Sequence, residues 1–222
     1  ASQRQKDFLV GALGQAGRLR YPPDAHSEAF PHVAVVPFGL SPVRPVDPGR
    51  HAIRGALVPQ DAVVALWAGG VWNWFDPLTV VRGLRAAREV DPRLHLVFMG
   101  AGHPSEAFEG QDAAAAALAS PEVQAMVAEG SVVFAADWVP FDERWAYLRD
   151  ADIGVCEFYD SPETRMSFRT RLLDHLWAGL PTVTTAGGIL SEEMCARGAA
   201  RCVPTGDDAA WTAALVELAA DR

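Results

Sequence analysis

From residue 61 onward the chain alternates between two kinds of apolar pattern. Short, nearly unbroken apolar runs at 62–67, 94–99, 132–135, 153–156, 182–184 and 200–203 read as strands buried on both faces. Between them, apolar residues recur at helical spacing and predict helices over 77–89, 112–128, 142–149, 168–178, 190–197 and 207–220. Strand and helix in strict alternation imply a parallel sheet covered by helices on both sides. The expected class is α/β, a Rossmann-like doubly wound sheet of about six strands.

The pattern before residue 61 is different. Residues 1–20 read as a helix with Phe8, Leu9, Ala12 and Leu13 on one side, broken at Tyr21-Pro22-Pro23-Asp24. A short apolar run, Val33 to Val36, ends at Pro37 and Gly39. Pro42, Pro45, Pro48, Gly49 and Pro59 then punctuate a linker-like stretch. The chain therefore divides into a helix and connector over 1–60 and a Rossmann-like unit over 61–222.

Composition adds limits rather than identity. Half of the 222 residues are hydrophobic, enough for a sizeable core. The net charge of −9, with no basic stripe, argues against a nucleic-acid partner. No apolar run approaches the length of a membrane span, so no transmembrane segment is expected. Cys156, Cys195 and Cys202 show no metal spacing and read as free thiols, which fits a reducing, cytoplasmic setting, peripheral association with a membrane included.

In an open parallel sheet, ligands bind beyond the carboxyl ends of the strands, where the winding reverses. The segments to inspect are thus 68–76, 100–105, 137–140, 157–167 and 186–193. Gly69-Gly70 lets a phosphate or sugar approach the backbone closely, or simply makes a tight turn. Asn73 could bond a ligand, and its neighbours Trp72, Trp74 and Phe75 either cap a cleft or pack. Gly100-Ala101-Gly102 lacks the third glycine of a dinucleotide fingerprint and reads as a turn, which disfavours a nicotinamide dehydrogenase. Around Trp138 and Val139 the main chain could hold a base, or the segment only leads into a helix through Phe141 and Asp142.

The richest stretch is 167–185. Ser167, Arg169, Thr170 and Arg171 fall at the predicted start of one helix, where an arginine pair and the helix N-terminus suit a diphosphate. The alternative is an N-cap serine with arginines paired to Glu157, Asp160 or Glu163. Asp174, one turn further in, suits a sugar hydroxyl, or pairs with Arg171. His95, His103 and His175 have no zinc spacing. Neither a metal nor a cofactor is expected.

Three stretches in order resemble the C-terminal, donor-binding domain of GT-B type glycosyltransferases of the group 1 (retaining, family-4-like) class. They are Gly69 to Pro77, Phe134 to Leu148 continuing to Val155, and 163–181 with Gly187-Gly188. The likeness covers about residues 60–220. It implies the C-terminal half of a GT-B fold, a nucleoside diphosphate sugar as donor, and sugar transfer to an acceptor such as a carbohydrate or lipid-linked glycan. It also implies an N-terminal domain carrying the acceptor site and much of the catalytic apparatus, so catalytic residues are not assigned and the piece alone is expected to be inactive. Residues 1–40 would be the last helix of that domain and the connection. Of the two glutamates the family carries around its donor helix, the ribose-binding one corresponds to Asp174 and the other falls at Met166. Glu163 or the Ser167–Arg171 segment would then take over the sugar contact. The donor-site expectation is Gly69, Gly70, Asn73, Trp138, Val139, Ser167, Arg169, Thr170, Arg171 and Asp174. A non-catalytic nucleotide-sugar-binding module and a nucleotide-sugar epimerase of the same architecture are the alternatives.

Overall fold

A computed structural model describes residues 2–19, 33–43, 49–100, 112–136 and 138–221. Six strands form one parallel sheet: β1 (Val63–Ala68), β2 (Leu94–Met99), β3 (Val132–Ala136), β4 (Ile153–Cys156), β5 (Thr182–Thr185) and β6 (Ala200–Val203). Their order is β3-β2-β1-β4-β5-β6. The chain winds outward from β1 to β3, then crosses to the other side of β1 for β4. The winding therefore reverses between β1 and β4, and the crevice above their carboxyl ends is where such a sheet takes a ligand.

Alternation along β1 sorts its side chains into two cores. Val63, Ala65 and Trp67 face one side, under α2 (Pro77–Val90), α4 (Pro121–Ala128) and α9 (Asp208–Ala220). Val64, Leu66 and Ala68 face the other, with Leu148 of α5 (Arg144–Arg149). The first core includes Trp67, Trp211, Phe98 and Leu84, all fully buried. Gly83 lets α2 and α9 touch: a Cβ there would collide with Trp211, and Thr212 donates to the Gly83 carbonyl at 3.2 Å.

Residues on the linker side of the expected boundary join the second core. Ile53 is fully buried and Val58 nearly so. Asp150, at the end of α5, holds this strap. Its carboxylate accepts from the Ile53 and Arg54 amides at 2.7 and 2.9 Å, from the Arg54 guanidinium at 3.2 Å, and bonds His51 at 2.7 Å.

Local signals explain where the elements depart from the expected bounds. The single helix expected over 112–128 is two, α3 (Asp112–Leu118) and α4, because Pro121 has no N–H to continue the ladder and instead starts a new helix. A short helix, α6 (Pro162–Met166), precedes the donor-type helix. Ser161 caps it by accepting from the Thr164 amide at 3.1 Å, with Pro162 at its first position. The next helix, α7 (Arg171–Ala178), consequently begins at Arg171 and not at Phe168. Ser167 is the residue that ends α6, and Ser167 to Thr170 form a connector.

The cysteine expectation is corrected. Cys195 of α8 (Ile189–Ala196) and Cys202 of β6 are joined by a disulfide, and only Cys156 is a free, buried thiol. The turn between them brings the two residues together, which spacing alone did not signal, and the cysteine-based argument for a reducing compartment lapses. Helix α1 (Gln3–Gln15) forms as expected, but Phe8 and Leu9 are exposed among the described residues. Arg4 ties α1 to the sheet unit, donating to the carbonyls of Arg165 and Gly187 and to Glu192. No helix of the described residues is long and apolar enough to cross a membrane.

Candidate functional site

A cleft of about 790 Å³ opens above the carboxyl ends of β1 and β4. Gly69, Gly70, Trp138, Val139, Ser167, Arg169, Thr170, Arg171 and Asp174 all line it, as do Glu163 and the segment Phe38 to Ser41. Asn73 is exposed and lies outside the lining residues. Residues 101–111, including Gly102 and His103, and Asp137 fall outside the described residues.

The turn after β1 builds one wall. Gly69 has φ of +114°, a conformation that side chains rarely adopt, and its amide donates to Met99 of the neighbouring strand at 3.0 Å. Trp72 folds back over Gly70, close enough that a Cβ at Gly70 would meet its ring at 2.8 Å. Trp74 and Phe75 pack down into the first core. The aromatic cluster of the sequence is therefore partly wall and partly core.

The two arginines expected to act together play different parts. Arg169 is buried and is the described non-glycine residue with positive φ, +56°. That backbone twist turns its guanidinium into the protein. It donates to the carbonyls of Thr185 and Ala186 and to Ser191 Oγ, and it stacks on Phe158 at 4.3 Å. It thereby pins the β5–α8 turn, where a Cβ on Gly188 would run into it. Arg169 forms the floor of the cleft.

Arg171 reaches the switch point itself. Its guanidinium donates to the Gly70 carbonyl at 2.5 Å beyond β1 and approaches the Cys156 sulfur, the last residue of β4, at 3.9 Å. It lies over Phe75 at 4.4 Å and Trp67 at 5.4 Å. Among the described residues no carboxylate forms an ion pair with Arg171 or Arg169; Asp160, one of the partners weighed from sequence, pairs with Arg165. Burial lowers the pKa of Arg171 and raises that of the Cys156 thiol. The outcome is a partly buried cation facing the cleft without an ion-pair partner among the described residues.

Asp174 faces the same cleft from α7, and its ion-pair partner is Arg144 of α5, not Arg171. Sequence reasoning missed Arg144, because nothing in the run Phe141-Asp142-Glu143-Arg144-Trp145 distinguishes it from a solvated helix residue. Trp138 is half-exposed at the rim while Val139 is buried in the second core. Ser167 Oγ donates to the Thr164 carbonyl at 3.0 Å, so it acts in the α6 end; Thr170 is exposed at the start of α7.

Glu157, the first residue after β4, is a second group that sequence reasoning did not single out for function. It is fully buried, accepts from the Gly206 amide at 2.8 Å through one oxygen, and leaves the other without a hydrogen bond among the described residues. Burial, reinforced by the nearby Asp76, pushes its pKa to about 8. His175, under Gly154, is pushed down to about 3 by burial and the neighbouring arginines. Among the described residues there is no cluster of three or more His, Cys, Asp or Glu able to hold a metal.

The doubly wound sheet, with its cleft at the switch point and a cation there that has no ion-pair partner among the described residues, places the chain in the Rossmann-like class of α/β domains, whose ligands bind in that crevice. Residues 62–221 match the group 1 glycosyl transferases, and the chain belongs to that family. No curated protein sequence matches it. Solved structures share the fold at low identity. Anabaena HepE, in complex with UDP-glucose, aligns with a TM-score of 0.57 at 15% identity over 73% of this chain and 40% of HepE. The pneumococcal O-GlcNAc transferase GtfA, in complex with UDP and GlcNAc, aligns with 0.59 at 12% over 100% of this chain and 38% of GtfA. The C-terminal domain of LpcC, a group 1 family glycosyl transferase from Francisella tularensis, aligns with 0.51 at 13% over 74% of this chain and 87% of that domain. The match thus covers about two fifths of the length of HepE and of GtfA.

Proposed function

We propose that this chain is the donor-binding half of a glycosyltransferase that moves a sugar from a nucleoside diphosphate sugar to an acceptor. The observation that carries the reading is the Arg171 guanidinium, held beside Gly69-Gly70 at the switch point with no ion-pair partner among the described residues. When the glycosidic bond to the donor breaks, negative charge grows on the leaving diphosphate. A fixed guanidinium in a partly dry cleft stabilises that charge without reorganising. The glycines let the phosphates come close to the main chain, and the same cation neutralises the donor in the ground state.

Asp174 is the acceptor for ribose hydroxyls in this reading, and the main chain around Trp138 and Val139 borders the base. Arg169 acts indirectly, by holding the β5–α8 turn where the donor sugar would lie, with Glu163 and Thr170 at its edge. The reading includes no cofactor and no metal; the cation it uses is Arg171. Family membership, the UDP-glucose bound to HepE and the UDP bound to GtfA support it. The acceptor, a carbohydrate or lipid-linked glycan, would be held by an N-terminal domain, and the chain alone would then bind donor without transferring sugar.

Calorimetry with UDP, GDP and their sugars is the test. Binding of one nucleotide, weakened by Asp174→Ala without loss of folding, is the expected result. A folded protein that binds none of them sinks the reading.

A further inference from the structure

Asp174 does not act alone in the cleft. Its Oδ2 accepts from the Arg144 guanidinium, and its other oxygen has no hydrogen-bond partner among the described residues. Arg144 opens α5 directly after a 3-10 turn, Phe141–Glu143, and its guanidinium lies over the Phe141 ring at 5.6 Å. Helices α5 and α7 are locked together behind the pair by the edge-on contact of Trp145 with Trp177, 5.1 Å between ring centres. The relation of Arg144 to Asp174 is therefore set by packing and not by two free side chains meeting in solvent.

Both side chains are about a quarter exposed, 26% and 27%, and both line the cleft. A pair this wet contributes little to stability. What it does is fix chemistry at one point of the wall. One carboxylate oxygen is consumed by the arginine and one faces outward as an acceptor. Arg144 spends a single amino group on Asp174, which leaves further N–H donors beside that acceptor. An acceptor and a donor side by side match two adjacent hydroxyls, one donating and one accepting.

We infer that Arg144 is a specificity-determining positioning residue: it holds Asp174 by one oxygen and makes the pair a donor–acceptor fork for the vicinal hydroxyls of a nucleotide ribose. The inference rests on the donor-site reading above. Held in the fork, each hydroxyl meets one fixed partner, so removing one hydroxyl forfeits one of two bonds. Without the arginine, Asp174 is no longer held at the hydroxyls and the distinction is lost.

The experiment is calorimetric binding of UDP and 2′-deoxy-UDP, with the GDP pair alongside, to the chain and to Arg144→Ala and Arg144→Lys. The chain should prefer the ribonucleotide by about tenfold, the size of one hydrogen bond to a charged group. In Arg144→Ala the preference should fall to within about twofold, and Arg144→Lys should recover part of it. A preference that survives in Arg144→Ala overturns the inference. So does an equal loss of affinity for both nucleotides, which would make Arg144 an ordinary contact for phosphate charge. Failure of the unaltered chain to bind either nucleotide of both pairs overturns the donor-site reading itself, and the inference with it. If Arg144→Ala does not fold, Arg144→Gln, of similar length without the charge, carries the same comparison.

Discussion

Arg171 on α7 and Gly70 after β1 meet across the switch point, 101 residues apart in sequence, through a 2.5 Å hydrogen bond from guanidinium to carbonyl. That contact joins the two halves of the sheet at the place where a ligand enters. It also leaves the arginine's charge unneutralised among the described residues. Arg171→Lys keeps a cation but loses the planar fork that can serve Gly70 and a phosphate together. Nucleotide affinity should fall by about tenfold to a hundredfold with folding retained, as read by calorimetry and circular dichroism. Unchanged affinity would remove Arg171 from the site.

Asp150 holds the strap over residues 51–58 by accepting from two amides, His51 and Arg54. Burial opposes its charge, yet these hydrogen bonds together lower its pKa. Asp150→Ala leaves the Ile53 and Arg54 amides without their acceptor, while the Arg54 guanidinium keeps Asp152 and the Ala62 carbonyl, a loss of about 3 kcal/mol. Denaturant melts should show that loss. Hydrogen exchange should lose protection first at the Ile53 and Arg54 amides.

Glu157 makes stability depend on pH in a defined direction. Its folded pKa of about 8 lies above the ordinary carboxylate value, so the folded state keeps a proton that the unfolded chain releases. Its contribution is complete below the ordinary carboxylate pKa and is lost progressively as pH rises toward 8, on the order of a few kcal/mol in all. His175 acts the other way: its pKa of about 3 means that stability is lost as pH falls below about 6.5. In Glu157→Gln, which still accepts from Gly206, urea melts between pH 5 and 8 should lose the downward slope. An identical slope in the variant rules out this role.

The Cys195–Cys202 bridge closes a short loop with a sequence separation of 7. Chain entropy gives such a loop about 2.5 kcal/mol. The Gly198 and Ala199 amides already close the same turn onto Cys195 and Met194, so the effect should sit at the low end. Scanning calorimetry with and without reductant should show a drop in Tm of about 4–8 °C. The double substitution Cys195→Ser, Cys202→Ser should melt like the reduced protein and no longer respond to reductant.

Much of this molecule is legible along the chain. Nearly unbroken apolar runs such as Leu94–Met99, interrupted only at His95, read as strands buried on both faces, and their regular alternation with helices dictates a parallel sheet. Ligand loops follow from that sheet before any motif is considered, and nine of the ten expected donor residues do line one cleft. Tertiary structure decided what each of them does there. Arg169 and Arg171 are two residues apart and alike in type, but α6 ends and α7 begins around them. The left-handed backbone at Arg169 turns one guanidinium under the β5–α8 turn, while the helix carries the other to the crevice. The partner of Asp174 comes from α5 and the partner of Cys195 from β6, because packing and sheet order bring those elements together. Local pattern fixes elements through side-chain period; contacts between elements depend on how the whole sheet is wound, and no window of the sequence contains that.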